Sequence, residues 1–180
     1  MSAREETRQL RRNVYLFLTQ TVLPGIRYGE RVLEIGPAHA GSCPLQEYYV
    51  DVKAAVLSAG GVYTSVDPDP AACANKVADF TAIDWKSSEF DVVIACEVFE
   101  HVQSIWRVPA ICRTMLRRGG RLYFSMPFAF FIHEPSPDYW RLTDQAIGML
   151  FREYFALEVT GLHFGDHAMP LHYTVEATAV

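Results

Sequence analysis

Apolar positions along this chain follow two rhythms. Near the N-terminus Leu10, Val14, Phe17, Leu18 and Val22 recur at helical spacing, with Arg4, Arg8, Arg11 and Arg12 among them. That spacing predicts an amphipathic helix with a solvated basic face, or as a second reading a lid over a bound ligand. From residue 29 the pattern becomes short apolar blocks alternating with helix-length stretches. It predicts strands at 31–35, 62–66, 90–95 and 121–125 and a brief strand around Val77. Helices are expected at 45–59, 71–75 and 104–116, the last stopped by Gly119-Gly120. The run FDVVIA at 90–95 is apolar throughout, as a central parallel strand buried on both faces requires. Beyond Pro127 the alternation pauses for an aromatic and proline-rich loop, 128–142. Thr143 then caps a helix carrying Ile147, Leu150 and Phe151, and two strands, 156–164 and 172–179, close the chain. Repeated βαβ grammar implies an α/β fold with a mostly parallel sheet and helices on both faces.

The chain has 180 residues, half of them apolar, the size of one domain with a substantial core. A net charge of -5 offers no broad basic surface, so no nucleic-acid partner is favoured and a small-molecule partner fits better. Cys43, Cys73, Cys96 and Cys112 are widely spaced, which indicates neither a zinc site nor a disulfide framework and suits reduced thiols in a cytoplasmic setting. His163, His167 and His172 have no metal-ligand spacing either, so no metal is expected. Arg11-Arg12 ahead of apolar residues looks like an export signal, but no small-residue cleavage site follows. No apolar run is long enough to span a membrane.

Chemistry concentrates where the parallel strands end. The strand through Glu34 runs into a sharp turn at Gly36, and the next strand ends on Asp67, followed by Pro68. In a parallel sheet these carboxyl ends open on one crevice, where a glycine admits a ligand closely and an acid accepts ribose hydroxyls. A dinucleotide site would want G-x-G-x-x-G to cradle a pyrophosphate. This chain reads Gly36-Pro37-Ala38-His39-Ala40-Gly41, in which Pro37 lacks an N–H and Ala38 replaces the second glycine. A nucleoside ligand without a pyrophosphate suits that turn better than a dinucleotide.

The segments RVLEIGPAHAG, VYTSVDPDP, Asp79-Phe80, FDVVIACEVFEHV and LRRGGRLYFSMP, in that order on alternating strands, resemble class I S-adenosylmethionine-dependent methyltransferases of the small single-domain bacterial type. The resemblance covers nearly all of the chain from Gly29 onward. It implies a Rossmann-like seven-stranded sheet of order 3-2-1-4-5-7-6, ending in an antiparallel hairpin that dehydrogenases lack. One domain would then span 1–180: an N-terminal helix at 1–28, a cofactor-binding half at 29–127, and a substrate loop, helix and hairpin at 128–180.

The resemblance also implies roles. S-adenosyl-L-methionine would meet Glu34 at its methionine end, Gly36, Ala38 and Gly41 at the turn, Asp67 and Pro68 at the ribose, Asp79 and Phe80 at adenine, and Cys96 and Glu97 near the methyl group. The run P-x5-H-x-x-P-x-D-Y-W-R-x-T from Pro127 to Thr143 resembles a signature of some bacterial methyltransferases, a few associated with sugar or envelope-glycan genes. It offers aromatic walls, an imidazole and an arginine fork to an acceptor, or else an Asp138–Arg141 pair that braces a lid. His101, His133, Tyr139 and Arg141 are the substrate-facing candidates, with His133 and then Glu97 as the base for a hydroxyl acceptor. The implied reaction is methyl transfer to an oxygen or nitrogen of a small-molecule or sugar-like acceptor. Its alternative is a non-catalytic cofactor-binding or scaffold protein, and the partners include a second copy or a heteromeric subunit.

Overall fold

The computed structural model describes residues 2–38, 45–163 and 169–180. Ser2 and Glu5 form a reciprocal capping box that starts α1 (Ala3–Leu16), which continues as a π-helical segment, Phe17–Val22, and a 3-10 turn, Leu23–Gly25. The strands are β1 (Arg31–Ile35), β2 (Val62–Asp67), β3 (Lys76–Val77), β4 (Phe90–Cys96), β5 (Leu116–Pro127), β6 (Phe155–Leu162) and β7 (His172–Ala179). They form one sheet in the order β3-β2-β1-β4-β5-β7-β6, parallel from β3 to β5 and antiparallel at β7 and β6, as the resemblance implies. The helices are completed by α2 (Val52–Ser58), α3 (Val108–Met115) and α4 (Asp144–Phe151), the last capped by Thr143 Oγ1 accepting from the Ala146 N–H.

The alternation of β1 and β4 divides the core into two layers. Val32, Val92 and Ile94 face the cluster that contains Phe17, Leu18, Val22 and Val56. Leu33, Val93 and Ala95 face the opposite cluster, built around Phe99, Phe124 and Phe151. Phe99, Phe124 and Phe151 have no exposed surface, with ring centroids 4.8 to 6.2 Å apart. Among the described residues no helix is long and apolar enough to cross a membrane.

Four expected elements differ. Where one helix is expected over 45–59, a 3-10 turn (Gln46–Tyr48) precedes α2, because the Asp51 carboxylate caps the Ala54 N–H and starts the helix only there. The expected helix at 71–75 is the 3-10 turn Pro70–Ala72, ended by Cys73 in a left-handed conformation. The helix expected over 104–116 begins as another 3-10 turn, Ile105–Arg107, and ends at Met115 rather than at the glycines. Leu116 already pairs with Phe90, and the pairing shifts register before Arg121 meets Val92. Gly119 and Gly120 therefore lie in an irregularity inside β5, with Gly119 at φ +71°. The last strand pair closes as expected, although β6 is assigned only to Leu162, and Phe164 lies outside the described residues.

Candidate active site

The carboxyl ends of β1, β2 and β4 open toward the N-terminal helix. Gly36 leaves β1 at φ +69°, donating its N–H to Val66 O at 3.0 Å. A Cβ there would stand 2.6 Å from Val98 Cγ2, so only glycine fits both the backbone and the approach of the loop after β4. Glu34 shares a sheet face with the N-terminal helix and accepts a 2.5 Å hydrogen bond from Tyr63 Oη on β2. Burial, reinforced by the charge of Asp51 and only partly offset by the Tyr63 bond, pushes the Glu34 carboxyl up to about 7.

Asp67 ends β2, half-buried, with Oδ1 accepting from the Asp69 N–H at 2.7 Å. Pro68 beside it is exposed. Asp79 is also held by its own turn, accepting from the Thr81 N–H and Oγ1 at 2.8 Å. The Phe80 ring, expected to cover a ligand, instead lies in the core 6.1 Å from the Phe99 ring, while its carbonyl accepts from Trp85 Nε1. Only the backbone of Phe80 remains for a ligand, because burying the ring in the aromatic core outweighs exposing it at a crevice.

At the end of β4, Glu97 adopts φ +54°, a conformation that a non-glycine residue holds only under surrounding constraint. Glu97 Oε1 accepts from Ser125 Oγ at 2.6 Å and from His172 Nδ1 at 3.4 Å, whereas the buried Oε2 has no partner. Burial opposes ionisation, but His172, Ser125 and the charge of Arg11 outweigh it and hold the carboxyl below its ordinary range. The Cys96 thiol is pushed up by burial and by Glu97, so it stays protonated and unreactive.

Two cavities adjoin these groups. One, of about 60 Å³, is lined by Glu34, Gly36, Ala38, Cys96, Glu97 and, from the N-terminal helix, Arg11, Val14 and Leu18. The other, of about 120 Å³, lies between Thr7, Leu10 and Arg11 on one side and Glu97, Phe130, Phe131 and His133 on the other. Arg11 borders both, and its buried Nε has no hydrogen-bond partner. The basic helix face expected to be solvated thus contributes a cation to the site.

The loop 128–142 closes the second cavity. Arg141 donates a bidentate pair of hydrogen bonds to Asp138, Nη1 to Oδ1 and Nη2 to Oδ2, both 2.6 Å, and its other N–H groups reach the carbonyls of Phe130, Phe131 and Trp140. All five donors are taken, so Arg141 braces the loop and has no fork left for an acceptor anion. Trp140 turns inward, its Nε1 on Val102 O, and Tyr139 is exposed away from the cavity lining, so Phe130 and Phe131 supply the aromatic wall expected of those two. His133 reaches the cavity, but its Nε2 is 3.8 Å from both Glu100 Oε1 and Asp138 Oδ2. His101 sits beside it, ring centroids 5.2 Å apart. Glu100 is fully buried, and burial together with the Glu97 charge pushes its carboxyl well above the ordinary range. Gly41 and His167 lie outside the described residues.

Sequence reasoning brings Glu34, Gly36, Ala38, Cys96, Glu97 and His133 to the two cavities. For Arg11 it is the second reading, a lid over the ligand, that agrees with its place at both cavities, and sequence reasoning misses Tyr63, Ser125 and His172 as the partners of the two acids. Arg11 had one signal, its place on the helix that precedes β1; the other three meet their partners only through strand register.

A family model described as a methyltransferase domain matches residues 33–124. No curated protein matches the chain. Among solved structures, the N-methyltransferase NodS from Bradyrhizobium japonicum, in complex with S-adenosyl-L-homocysteine, is 18% identical; the match covers 98% of this chain and 86% of that one, with a TM-score of 0.64. A 1,6-didemethyltoxoflavin-N1-methyltransferase from Burkholderia thailandensis is 17% identical, over 97% and 78% of the two chains, with a TM-score of 0.59. An S-adenosylmethionine-dependent methyltransferase from Methanosarcina mazei is 13% identical, over 91% and 98%, with a TM-score of 0.63. At these identities the likeness is one of fold.

Proposed function

The chain belongs to the methyltransferase-domain family and by that membership is an S-adenosylmethionine-dependent enzyme, and from this premise we propose that it methylates an oxygen or nitrogen of a small-molecule or sugar-like acceptor. The observation that carries the reading is the pairing of opposite charges across the Gly36 turn. A methionine arm is zwitterionic. Arg11, with its unpartnered buried Nε, matches the carboxylate, and Glu34 matches the ammonium group. Asp67 at the end of β2 accepts the ribose hydroxyls, and Asp79 with the Phe80 amide flanks adenine. Ala38 offers little bulk beside the turn.

When bound, S-adenosylmethionine supplies a methyl group already activated by its sulfonium, so the chain's main tasks are alignment and exclusion of water. The acceptor occupies the cavity walled by Phe130 and Phe131. Glu97 Oε2, buried and unpartnered there, accepts a hydrogen bond from the acceptor O–H or N–H and aims its lone pair. Its depressed pKa keeps it ionised, so it orients the acceptor and takes up the proton that the acceptor O–H or N–H releases on methyl transfer. This reverses the expected order of Glu97 and His133, whose Nε2 is turned toward Glu100 and Asp138.

Calorimetric titration with S-adenosylmethionine and S-adenosylhomocysteine, with NAD as control, tests the cofactor site. Micromolar binding of the two adenosyl ligands and none of NAD is expected. Arg11→Gln should weaken it about ten-fold or more, the worth of one charge-assisted hydrogen bond. Sugars and small hydroxylated or amino compounds are then screened for formation of S-adenosylhomocysteine. No adenosyl binding would overturn the reading, and binding without turnover on any acceptor would replace transfer by cofactor sensing.

A further inference from the structure

Glu100, His101 and His133 carry three ligand atoms within 4.8 Å of one another, in a place the methyl-transfer reading leaves without a task. Glu100 comes from the 3-10 turn Phe99–His101 after β4, and its side chain has no exposed surface. Neither carboxylate oxygen has a hydrogen-bond partner, and neither has His101 Nε2. A buried carboxylate left in this state is costly unless a cation or a proton meets it. The nearest guanidinium, Arg141, has all its donors committed elsewhere.

The two imidazoles are held the same way. His101 Nδ1 lies 2.9 Å from Pro137 O, and His133 Nδ1 lies 2.9 Å from Glu134 O. A carbonyl can only accept, so each Nδ1–H donates to it and each ring turns its Nε2 toward Glu100. Those Nε2 atoms stand 3.6 and 3.8 Å from Glu100 Oε1. Two Nε2 atoms and a carboxylate thus converge, and each ring is oriented through its other nitrogen, the arrangement that tunes metal-bound histidines. The loop that delivers His133 is held independently. Tyr139 N donates to Glu100 O at 2.8 Å, and Asp138, clamped by Arg141, accepts from the His133 N–H at 3.0 Å.

We propose that Glu100, His101 and His133 bind a divalent first-row transition metal ion through one carboxylate and two imidazole Nε2 atoms. Imidazole ligands select zinc, iron or cobalt over magnesium and calcium, and two histidines with one carboxylate leave open positions for an exogenous ligand. Ligands at the usual metal distances stand roughly 3.4 Å apart, so binding draws the three atoms inward by about 1 Å, a side-chain adjustment. His133 also lines the cavity that contains Glu97. An ion held there borders the acceptor space and would lower the pKa of a hydroxyl bound to it, a consequence that rests on the methyl-transfer reading. Metal binding itself does not.

The test strips the full chain with a chelator and titrates it, without cofactor, with zinc(II) in competition with a chromophoric chelator, and with cobalt(II) followed by its visible absorption. One ion per chain at micromolar affinity or tighter is expected, with a cobalt spectrum of mixed nitrogen and oxygen ligation. Glu100→Gln and, separately, His133→Asn should each weaken binding at least ten-fold, while His163→Asn, outside the cluster, leaves it unchanged. Should Glu100→Gln fail to fold, His101→Asn joins His133→Asn in carrying the test. Absence of stoichiometric binding, or binding that these variants leave intact, would overturn the proposal. Adenosyl binding by the stripped protein is measured separately, so either reading can fail alone.

Discussion

Glu34 carries a pH signature of its own. Its carboxyl titrates near 4.5 in an unfolded chain and about 7 in the fold, so the folded state binds the extra proton between those values. Stability from this residue is therefore full below about pH 4.5 and is lost as pH rises through about 7. Denaturant titrations across that window should show the decline, and Glu34→Gln, which keeps the shape and a hydrogen bond to Tyr63, should flatten it. An ammonium group arriving at Glu34 favours the ionised form, so S-adenosylmethionine should bind more tightly as pH rises through 7, and Glu34→Gln should remove that dependence in calorimetry. The placement of Asp67, Cys96 and Glu97 at strand ends was legible in the sequence for a simple reason: strand ends can be read from apolar runs, and a parallel sheet sends them to one crevice. Arg141 was not. Its two readings, acceptor fork or loop brace, differ only in which carbonyls surround the guanidinium, and those of Phe130, Phe131 and Trp140 are set by the loop's path.

At the level of elements, the N-terminal helix is the least anchored piece that touches the site. Only Leu10 and Asn13 of α1 are buried, and its contacts with the turn Gln46–Tyr48 are an exposed Arg8–Glu47 ion pair at 2.9 Å and a tilted Tyr15–Tyr48 ring contact. Exposed pairs of this kind contribute little, because water and salt screen them. The π-helical segment that follows is tied into the core by Phe17, Leu18 and Val22. Cavities of about 60 and 120 Å³ fall short of the roughly 300 Å³ that small-molecule sites begin at. The helix that roofs both must swing out for a cofactor to enter, with the π segment as its natural hinge. Amide exchange should be faster over Ala3–Leu16 than over β4 in the free protein, and should slow in Ala3–Leu16 when S-adenosylhomocysteine is added. The sequence announced this helix through its apolar spacing and left its position over the crevice as one of two readings. The 45–59 helix failed for a related reason: its apolar spacing is genuine, yet Asp51 caps a later start and leaves Tyr48, Tyr49 and Val50 to line the crevice.

Across the whole molecule, the alternating blocks announced a mostly parallel sheet, because right-handed βαβ crossovers leave few ways to lay parallel strands side by side, and the strand order itself came with the family resemblance. What alternation cannot give is the meeting of distant segments. His172 reaches Glu97 because β7 lies antiparallel to β5, which sets Pro127 opposite His172. Arg11, 25 residues before Gly36 by their numbering, borders both cavities at once. One roof over two chambers has a kinetic meaning. With one helix over both, donor and acceptor are expected to share a single closed state, and its opening to release both products. Initial-velocity plots should therefore intersect, as in a ternary-complex scheme, rather than run parallel. Turnover should slow with solvent viscosity, the mark of an enzyme whose pace is set by an opening door.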